Sequence, residues 1–406
     1  MIWAPSGDHP IFGPIAQLGE RHNGIVEVSG SIPLGSTRQK PPPRAIVRGF
    51  CFAIPTGTSR ISEQRLDNRG SMSSGFIIGG FRLPARGHQH LIDFASSFCA
   101  GDIDVMMCTR PEDAIPGEVR LRWLTDFFGA KARIGRFHNS LPEDPAETPD
   151  FWQLWNHAIL DFLGGRAPDF VFASESYGRR LAADLGARFV PVDPARDSVP
   201  ISARRLTAGV SEHWDMLLPT ARPSFLKRIA IIGPESCGKT TLARKLAATY
   251  RTVHVPEWAR TYLENVDPAK CPDLADIELI GAGHAAAEDA LARQANRAIF
   301  LDTDHICTAV WSRIALGEVP AFVDIEIRKR HYDLRLLLRD DVPFVPDILR
   351  YGGNDRQLRF DHFVSELEAR SLPFIVVEGG WPERNARAMV AVEDIMTQPL
   401  AYRATG

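Results

Sequence analysis

A run of residues suited to holding phosphate lies in the second half of the chain. Gly233 and Gly238 are separated by four residues, and Lys239 and Thr240 follow directly. Glycines let the backbone turn tightly and aim its N–H groups at phosphate oxygens, the lysine can reach the β- and γ-phosphates, and the threonine hydroxyl can bind Mg²⁺. The spacing predicts a site for a nucleoside triphosphate and Mg²⁺. The predicted nucleotide contacts are Gly233, Pro234, Glu235, Ser236, Cys237, Gly238, Lys239, Thr240 and Thr241.

The residues on either side predict the strand, loop and helix that such a site needs. Residues 229–232 are all apolar, and Leu242, Leu246 and Tyr250 recur at i, i+4 and i+8, the spacing of one helix face. A glycine-rich turn that binds nothing is the alternative, but it does not require this order of elements.

Two acidic residues follow a second apolar run. Residues 298–301 predict a strand, and Asp302 and Asp304 come at its end, where an aspartate orients Mg²⁺ in this class of site. Both carboxylates would face the same way if the strand continued. We predict Lys239, Asp302 and Asp304 as catalytic residues, with Thr240 and Asp302 as metal ligands. Which acid holds the metal and which accepts the substrate proton is left open, and a pair of solvated acids is the alternative.

Three more segments contribute candidate residues. Glu257, Trp258 and Arg260 follow a predicted strand at 252–255 and suit recognition of a nucleoside, although a helix start with a core tryptophan is the alternative. A long loop at 340–357 carries Arg350 and Arg356, which we predict to close over the transferred phosphoryl group; an ordinary solvated loop is the alternative. Residues 378–384 begin the last helix near the predicted adenine position, and Arg384 is the candidate contact there.

Residues 72–222 predict a separate α/β unit. Apolar strands are expected within 74–79, 102–108 and 169–173, with helical patterns at 117–128 and 152–163. Strands that alternate with helices predict a parallel sheet whose ligands bind at the carboxyl ends of the strands. We therefore expect two α/β domains, at 72–222 and 223–406.

Composition narrows the class of protein. The chain has 406 residues, 44% of them hydrophobic, and a net charge of −3, which gives no overall attraction to nucleic acid or to an anionic membrane. Its six cysteines include no Cys-x-x-Cys pair, so neither a disulfide framework nor a zinc site is expected. No apolar run approaches the length of a membrane span, and no signal peptide is evident. We expect a cytoplasmic protein; whether it forms a homo-oligomer is left open.

The second half resembles the kinase domain of a known bifunctional family, the nicotinamide-nucleotide adenylyltransferase/ribosylnicotinamide kinases (NadR-type). The resemblance covers almost all of this half and is carried by 233–242, 255–260, 301–304, 310–311, Pro346, Asp347 and Arg350. It implies a P-loop fold that uses Mg²⁺ and ATP to phosphorylate nicotinamide riboside to the mononucleotide NMN.

The first half resembles the Rossmann-like adenylyltransferase domain of the same family, but its two signatures have diverged. The family pattern Gly-Lys-Phe-x-Pro-x-His-x-Gly-His falls on residues 79–88, and Ile-Ser-x-Thr-x-x-Arg falls on 201–207. The agreeing residues are Gly79, Phe81, Gly87, His88, Ile201 and Ser202. The replaced positions are Gly80 for lysine, Leu83 for proline, Ala85 for histidine, Arg204 for threonine and Thr207 for arginine. Adenylyl transfer depends on such charged and hydrogen-bonding groups, so we expect it to be impaired unless Arg82, Arg86 or Arg204 compensates.

Two other functions remain open. The second half could phosphorylate a different nucleoside, since the fold does not determine the substrate. Alternatively, the chain could be an ATP-binding regulator whose first half senses NMN or NAD without catalysis. Residues 1–71 lack the helix pair of a DNA-binding module, so no nucleic-acid partner is expected.

Residues 1–71 have the composition of a disordered segment, rich in Pro, Gly, Ser and Arg and without periodicity. Residues 13–33 also read like the translation of a transfer RNA gene, which suggests that the frame was extended upstream. We predict that synthesis starts at Met72. The intact mass of the natively expressed protein should then match residues 72–406; a mass for all 406 residues would rule this out.

Overall fold

The computed structural model describes residues 73–200, 203–266, 272–343 and 356–404. Predictions for 1–71, Ser202 and Arg350 lie outside these ranges. The described residues belong to one compact unit that contains two five-stranded sheets, each with all of its strands parallel. The predicted α/β class with parallel sheets is therefore confirmed.

The first sheet has the strand order β3-β2-β1-β4-β5, with helices in the connections between strands. Its elements are β1 (Gly75–Gly79), α1 (Arg86–Phe98), β2 (Ile103–Thr109), α2 (Gly117–Phe128), β3 (Arg133–His138), α3 (Phe151–Phe162), β4 (Phe170–Ala173), α4 (Tyr177–Asp184), β5 (Arg188–Pro191) and α5 (Ala203–Ala208). The sheet changes direction between β1 and β4, so a crevice opens at the carboxyl ends of these strands.

The second sheet has the strand order β10-β9-β6-β8-β7. Its elements are β6 (Lys227–Ile232), α6 (Lys239–Thr249), β7 (His254–Val255), α7 (Trp258–Asn265), α8 (Leu274–Ala292), β8 (Ala298–Asp302), α9 (His305–Leu316), α10 (Ala321–Lys329), β9 (Leu334–Leu338), α11 (Arg356–Ala369), β10 (Ile375–Val377) and α12 (Trp381–Thr397). The central strand β6 is covered on both faces, which explains its unbroken apolar run: Ile229 and Ile231 face one core cluster, and Ala230 and Ile232 face another.

The two sheets share part of their core. Trp123 of α2 is 4% exposed and its ring lies 6.1 Å from those of both Phe225 and Tyr402, which belong to the second half of the chain. Within the first half, the segment that precedes the second sheet is bonded to the first: the Thr220 hydroxyl donates to the Trp123 carbonyl at 2.9 Å, and the Leu218 amide donates to the Pro84 carbonyl at 3.1 Å. The domain boundary after residue 222 stays a prediction.

No helix in the described part of the chain is long and apolar enough to cross a membrane.

The shared core gives a stability prediction. Trp123→Ala should lower the free energy of unfolding by about 3–5 kcal/mol, because it leaves a cavity between the two sheets. Urea denaturation measures the loss. Val390→Ala on α12, where the side chain is 67% exposed, is the control and should change stability by less than about 0.5 kcal/mol. A loss below about 1 kcal/mol for Trp123→Ala would mean that the contact contributes little.

Candidate active site

The phosphate-binding loop, defined as residues 233–238, connects β6 to α6 and depends on its two glycines. Gly233 has φ +139°, and a Cβ there would lie 2.6 Å from the Leu338 carbonyl oxygen. Gly238 has φ +93°, and a Cβ there would lie 2.5 Å from the Trp381 ring. Both positions combine a left-handed backbone with a close neighbour, so only glycine fits. The turn ends where α6 begins, at Lys239, and the loop amides lie at the positive end of that helix.

Lys239 folds back onto this loop. Its amine donates a 2.8 Å hydrogen bond to the Pro234 carbonyl, and the same carbonyl accepts from the buried Cys237 thiol at 3.0 Å. Burial acts to lower the pKa of the Lys239 amine, whereas the nearby Cys237 and Glu257 raise it, and the net effect is a raised pKa. The amine is therefore charged at neutral pH and can exchange the carbonyl for a phosphate oxygen.

Arg384 holds the loop in place. Its guanidinium is 2% exposed and donates to the Cys237 carbonyl at 2.9 Å, to the Arg339 carbonyl at 2.6 Å and to the Gly379 carbonyl at 2.7 Å. It also pairs with Asp341. The sequence predicted a direct contact with the nucleotide. The structure instead directs these donors to protein oxygens, because main-chain carbonyls from three segments converge on this position.

Thr240 and Asp302 lie near each other, and their role as metal ligands stays a prediction. Asp302 is 2% exposed, and its carboxylate Oδ1 has no hydrogen-bond partner among the described residues. The Thr240 hydroxyl lies close enough to Asp302 to lower the pKa of that carboxylate. Burial raises the pKa of Asp302, and the Lys239 charge opposes this shift. A hydroxyl beside a buried, partnerless carboxylate oxygen suits Mg²⁺, which commonly takes few protein ligands and completes its shell with phosphate and water. The described residues contain no group of three His, Cys, Asp or Glu side chains able to hold a metal ion.

Asp304 does not share the position of Asp302. The strand β8 ends at Asp302, and Thr303 adopts φ +77°, so the strand does not continue to Asp304. Asp304 instead caps α9: its Oδ1 accepts from the Ile306 amide at 2.9 Å, and its Oδ2 accepts from Arg335 at 3.0 Å. Both carboxylate oxygens are thus engaged by protein donors, since the chain turns into a helix immediately after β8. A catalytic role for Asp304 stays a prediction.

The predicted nucleoside contacts divide into two groups. Glu257 immediately precedes α7 and lies close enough to Lys239 and Asp302 to affect the pKa of both. Trp258 packs inward: its ring lies against Gly283 of α8, where a Cβ would be 2.1 Å from a ring carbon, and it stacks on the Tyr262 ring at 5.4 Å.

Arg260 pairs with Glu264 one turn along α7 at 3.1 Å. Arg356 is the first residue of α11. The structure thus groups Glu257 with the phosphate-binding loop, and the roles of the other predicted residues stay predictions.

Two buried histidines behind β8 were not predicted. His284 of α8 lies 3.5 Å from the Thr303 hydroxyl, and His305 of α9 lies 3.0 Å from the Gly281 carbonyl. Burial lowers the pKa of His284 to about 3, with a further contribution from His305, so the imidazole is neutral. No spacing in the sequence marks these residues, because each is a single histidine within a mostly apolar helix.

A cavity of about 1190 Å³ opens at the carboxyl ends of β1, β2 and β4. Gly79, Phe81, Gly87 and His88 line it, as do three of the diverged positions, Gly80, Ala85 and Thr207. The first signature therefore folds into a cavity wall although its lysine and one histidine are missing. The position of Ser202 lies outside the described residues.

His88 is neutral in this cavity. Its Nδ1 accepts the Ala85 amide at 3.1 Å, and burial lowers its pKa to about 4, with a further contribution from the Arg196 charge. Because Nδ1 accepts and the ring is neutral, the proton is on Nε2, which can donate a hydrogen bond but carries no charge. Arg82 is largely exposed and lies 3.7 Å from both Asp113 and Glu143, so part of its charge is already balanced.

Comparison with known proteins finds a matching family model and similar proteins from bacteria. The model of an AAA domain family matches residues 228–384. The trifunctional NAD biosynthesis/regulator protein NadR of Escherichia coli (strain K12) is 30% identical over 285 residues, which cover 68% of this chain and 69% of the relative. NadR of Salmonella typhimurium matches with the same identity and coverage.

Solved structures give the same overall likeness. A crystal structure of a NadR protein in complex with NR superposes with a TM-score of 0.64 at 21% identity and covers 82% of this chain and 98% of that chain. A NadR protein in complex with NAD and AMP-PNP gives a TM-score of 0.62 at 22% identity, with coverage of 82% and 99%. At these identities the likeness establishes the fold alone.

The buried imidazole of His284 makes stability depend on pH. Its pKa is about 3 in the folded chain and about 6.5 when unfolded, so the unfolded state binds the proton preferentially as the pH falls below about 6.5. This group alone should cost about 2 kcal/mol of unfolding free energy between pH 7.5 and pH 5. Urea denaturation of His284→Asn at both pH values should show a correspondingly smaller loss than the wild type. His362→Asn, on the exposed side of α11, is the control and should lose as much as the wild type. Equal losses in all three proteins would contradict the assignment.

Proposed function

This chain belongs to the NadR family, and we propose that its second half transfers the γ-phosphoryl group of ATP to the 5′-hydroxyl of nicotinamide riboside, which yields NMN. Its kinase-type fold and its capacity to bind ATP follow from the family and from the phosphate-binding loop. The observation that carries the proposal is the buried Asp302 beside Thr240, with a carboxylate oxygen that no described residue engages.

The described side chains divide the work of phosphoryl transfer. The loop amides and Lys239 hold the phosphates and offset the charge that develops on them. Thr240 and Asp302 would hold Mg²⁺, which when bound neutralises charge on the β- and γ-phosphates. In the reaction the 5′-oxygen bonds to the γ-phosphorus, the bond from that phosphorus to the β,γ-bridging oxygen breaks, and ADP leaves.

The proton of the 5′-hydroxyl needs an acceptor. Asp304 is committed to the α9 amide and to Arg335, whereas Glu257 lies near Lys239 and Asp302 at the start of α7. We therefore assign proton acceptance or hydroxyl orientation to Glu257. Trp258 and Arg260 follow it on α7, and we propose that they contact the nucleoside through their exposed parts. Arg350 and Arg356 retain their proposed role over the phosphoryl group.

The choice of nucleoside rests on the family. A NadR protein has been crystallised with NR, and the sequence resemblance of the second half points to the same substrate. A kinase for another nucleoside is the alternative, and a panel of nucleosides offered with ATP distinguishes the two.

We propose that the first half binds a nucleotide but transfers adenylyl groups slowly or not at all. The cavity of about 1190 Å³ supports binding, and Ala85 and Thr207 in its wall support the loss of transfer. The neutral His88 retains one donor for an anionic ligand. In this form the first half would sense NMN or NAD.

Removal of the Lys239 amine tests the kinase assignment. Lys239→Ala should lower the rate of NMN formation by about 10²–10³-fold, because it removes a charge that stabilises the transition state. The assay supplies the full chain with Mg-ATP and nicotinamide riboside and identifies products by mass spectrometry. Lys245→Ala, on an exposed turn of the same helix, is the matched control and should leave the rate unchanged.

Each product pattern has a distinct meaning. NMN without NAD from the wild type agrees with a working kinase and an impaired first site, whereas NAD as well would contradict the impairment. Wild-type turnover by Lys239→Ala would refute the catalytic assignment. Phosphorylation of another nucleoside in place of nicotinamide riboside would refute the substrate.

A further inference from the structure

A carboxylate lies within the phosphate-binding loop itself. Glu235 is the third residue of that loop, and its side chain is 17% exposed. Its Oε2 lies 3.2 Å from Nη1 of Arg359 on α11, whose side chain is 14% exposed. A negative side chain beside a site for a polyanion opposes binding unless a cation balances it, and Arg359 supplies that cation.

The first turns of α11 are seated against the loop and the end of β9. The Arg359 guanidinium lies 5.3 Å from the centroid of the Trp311 ring on α9. The next residue, Phe360, is buried, and the guanidinium of Arg339, just after β9, lies 4.6 Å from its ring. These contacts hold Arg359 at the edge of the sheet where the phosphates would bind, and the rigid Trp311 face restricts the directions in which its guanidinium can move.

Nucleotide binding changes the electrostatic balance at this pair. The loop amides cradle the inner phosphates, so the terminal phosphate projects beyond the loop. Its charge repels Glu235 and attracts Arg359, whose planar fork of donors fits phosphate oxygens in pairs.

We propose that Arg359 is a phosphate-binding residue that Glu235 and Trp311 hold ready, and that it exchanges the Glu235 carboxylate for the γ-phosphate when ATP binds. The proposal rests on the proposed kinase function of this half. It adds an arginine that the sequence did not single out to Arg350 and Arg356.

A purely structural ion pair predicts different behaviour. In that case the loss of either partner harms the site in the same way, and the double variant resembles both single variants. Under exchange, Glu235 competes with the γ-phosphate for the same guanidinium. Removal of Glu235 should then strengthen the preference for ATP, whereas removal of Arg359 should abolish it.

The test measures the affinities of the full chain for Mg-ATP and Mg-ADP by isothermal titration calorimetry, without an acceptor nucleoside. Arg359→Ala should lower the ratio of ATP affinity to ADP affinity by about tenfold or more, the size expected for a lost charge-assisted hydrogen bond. Glu235→Gln should raise the same ratio about threefold, because a neutral amide competes less well for the guanidinium.

Two further variants complete the design. Arg313→Ala removes another arginine–glutamate pair between α9 and α11, with Glu366 at the same 3.2 Å, and should leave the ratio unchanged. Arg359→Lys keeps a charge for Glu235 but loses the planar fork, so it should lower the ratio several-fold and serves as the test if Arg359→Ala does not fold.

Equal losses from Arg359→Ala and Glu235→Gln, or an unchanged ratio in Arg359→Lys, would overturn the proposal. The rate of NMN formation is measured on the same proteins. A wild type that makes no NMN but shows opposite shifts in the two variants would refute the proposed function and leave the exchange standing. A wild type that makes NMN while both variants show equal losses would refute the exchange and leave the proposed function standing.

Discussion

A phosphate-binding loop works only if its amide groups point into open space, so it cannot stabilise itself. In this protein other segments hold it. The Leu338 carbonyl at the end of β9 lies against Gly233, Trp381 at the start of α12 covers Gly238, and Arg384 binds the Cys237 carbonyl. Each of these contacts is made to the main chain of the loop: two are to glycines, which have no side chain, and one is to a carbonyl group. The nucleotide site is therefore built jointly by β6, β9 and α12.

The two acids at the end of β8, Asp302 and Asp304, have different surroundings and different roles. Because the chain turns at Thr303, Asp302 stays beside Thr240 with one oxygen that no described residue engages, while Asp304 caps α9 and pairs with the buried Arg335. A buried carboxylate oxygen without a partner is destabilising, and a cation bound beside Asp302 would offset that effect. One acid thus keeps its binding capacity while the other fixes the geometry around it.

Local features could be predicted from the sequence, and features made by distant parts of the chain could not. The fold class, the strand β8 and the loop followed from apolar runs and glycine spacing. The strands β3 and β5 lie at the sheet edges and are half exposed, so they leave no apolar run to detect. The positions of Arg384 and Arg359 depend on main-chain carbonyls and on side chains more than a hundred residues away, which no local pattern encodes.

Arg384, which holds the phosphate-binding loop in place, is synthesised long after the loop itself. Arg384 lies 145 residues after Lys239, so at roughly 5–20 residues per second the ribosome adds it about 7–30 s later. During that interval β6 and α6 exist without the contacts that set the loop. The nucleotide site described above is therefore complete only after α12 has been synthesised. A nucleotide that binds this complete site stabilises the folded protein.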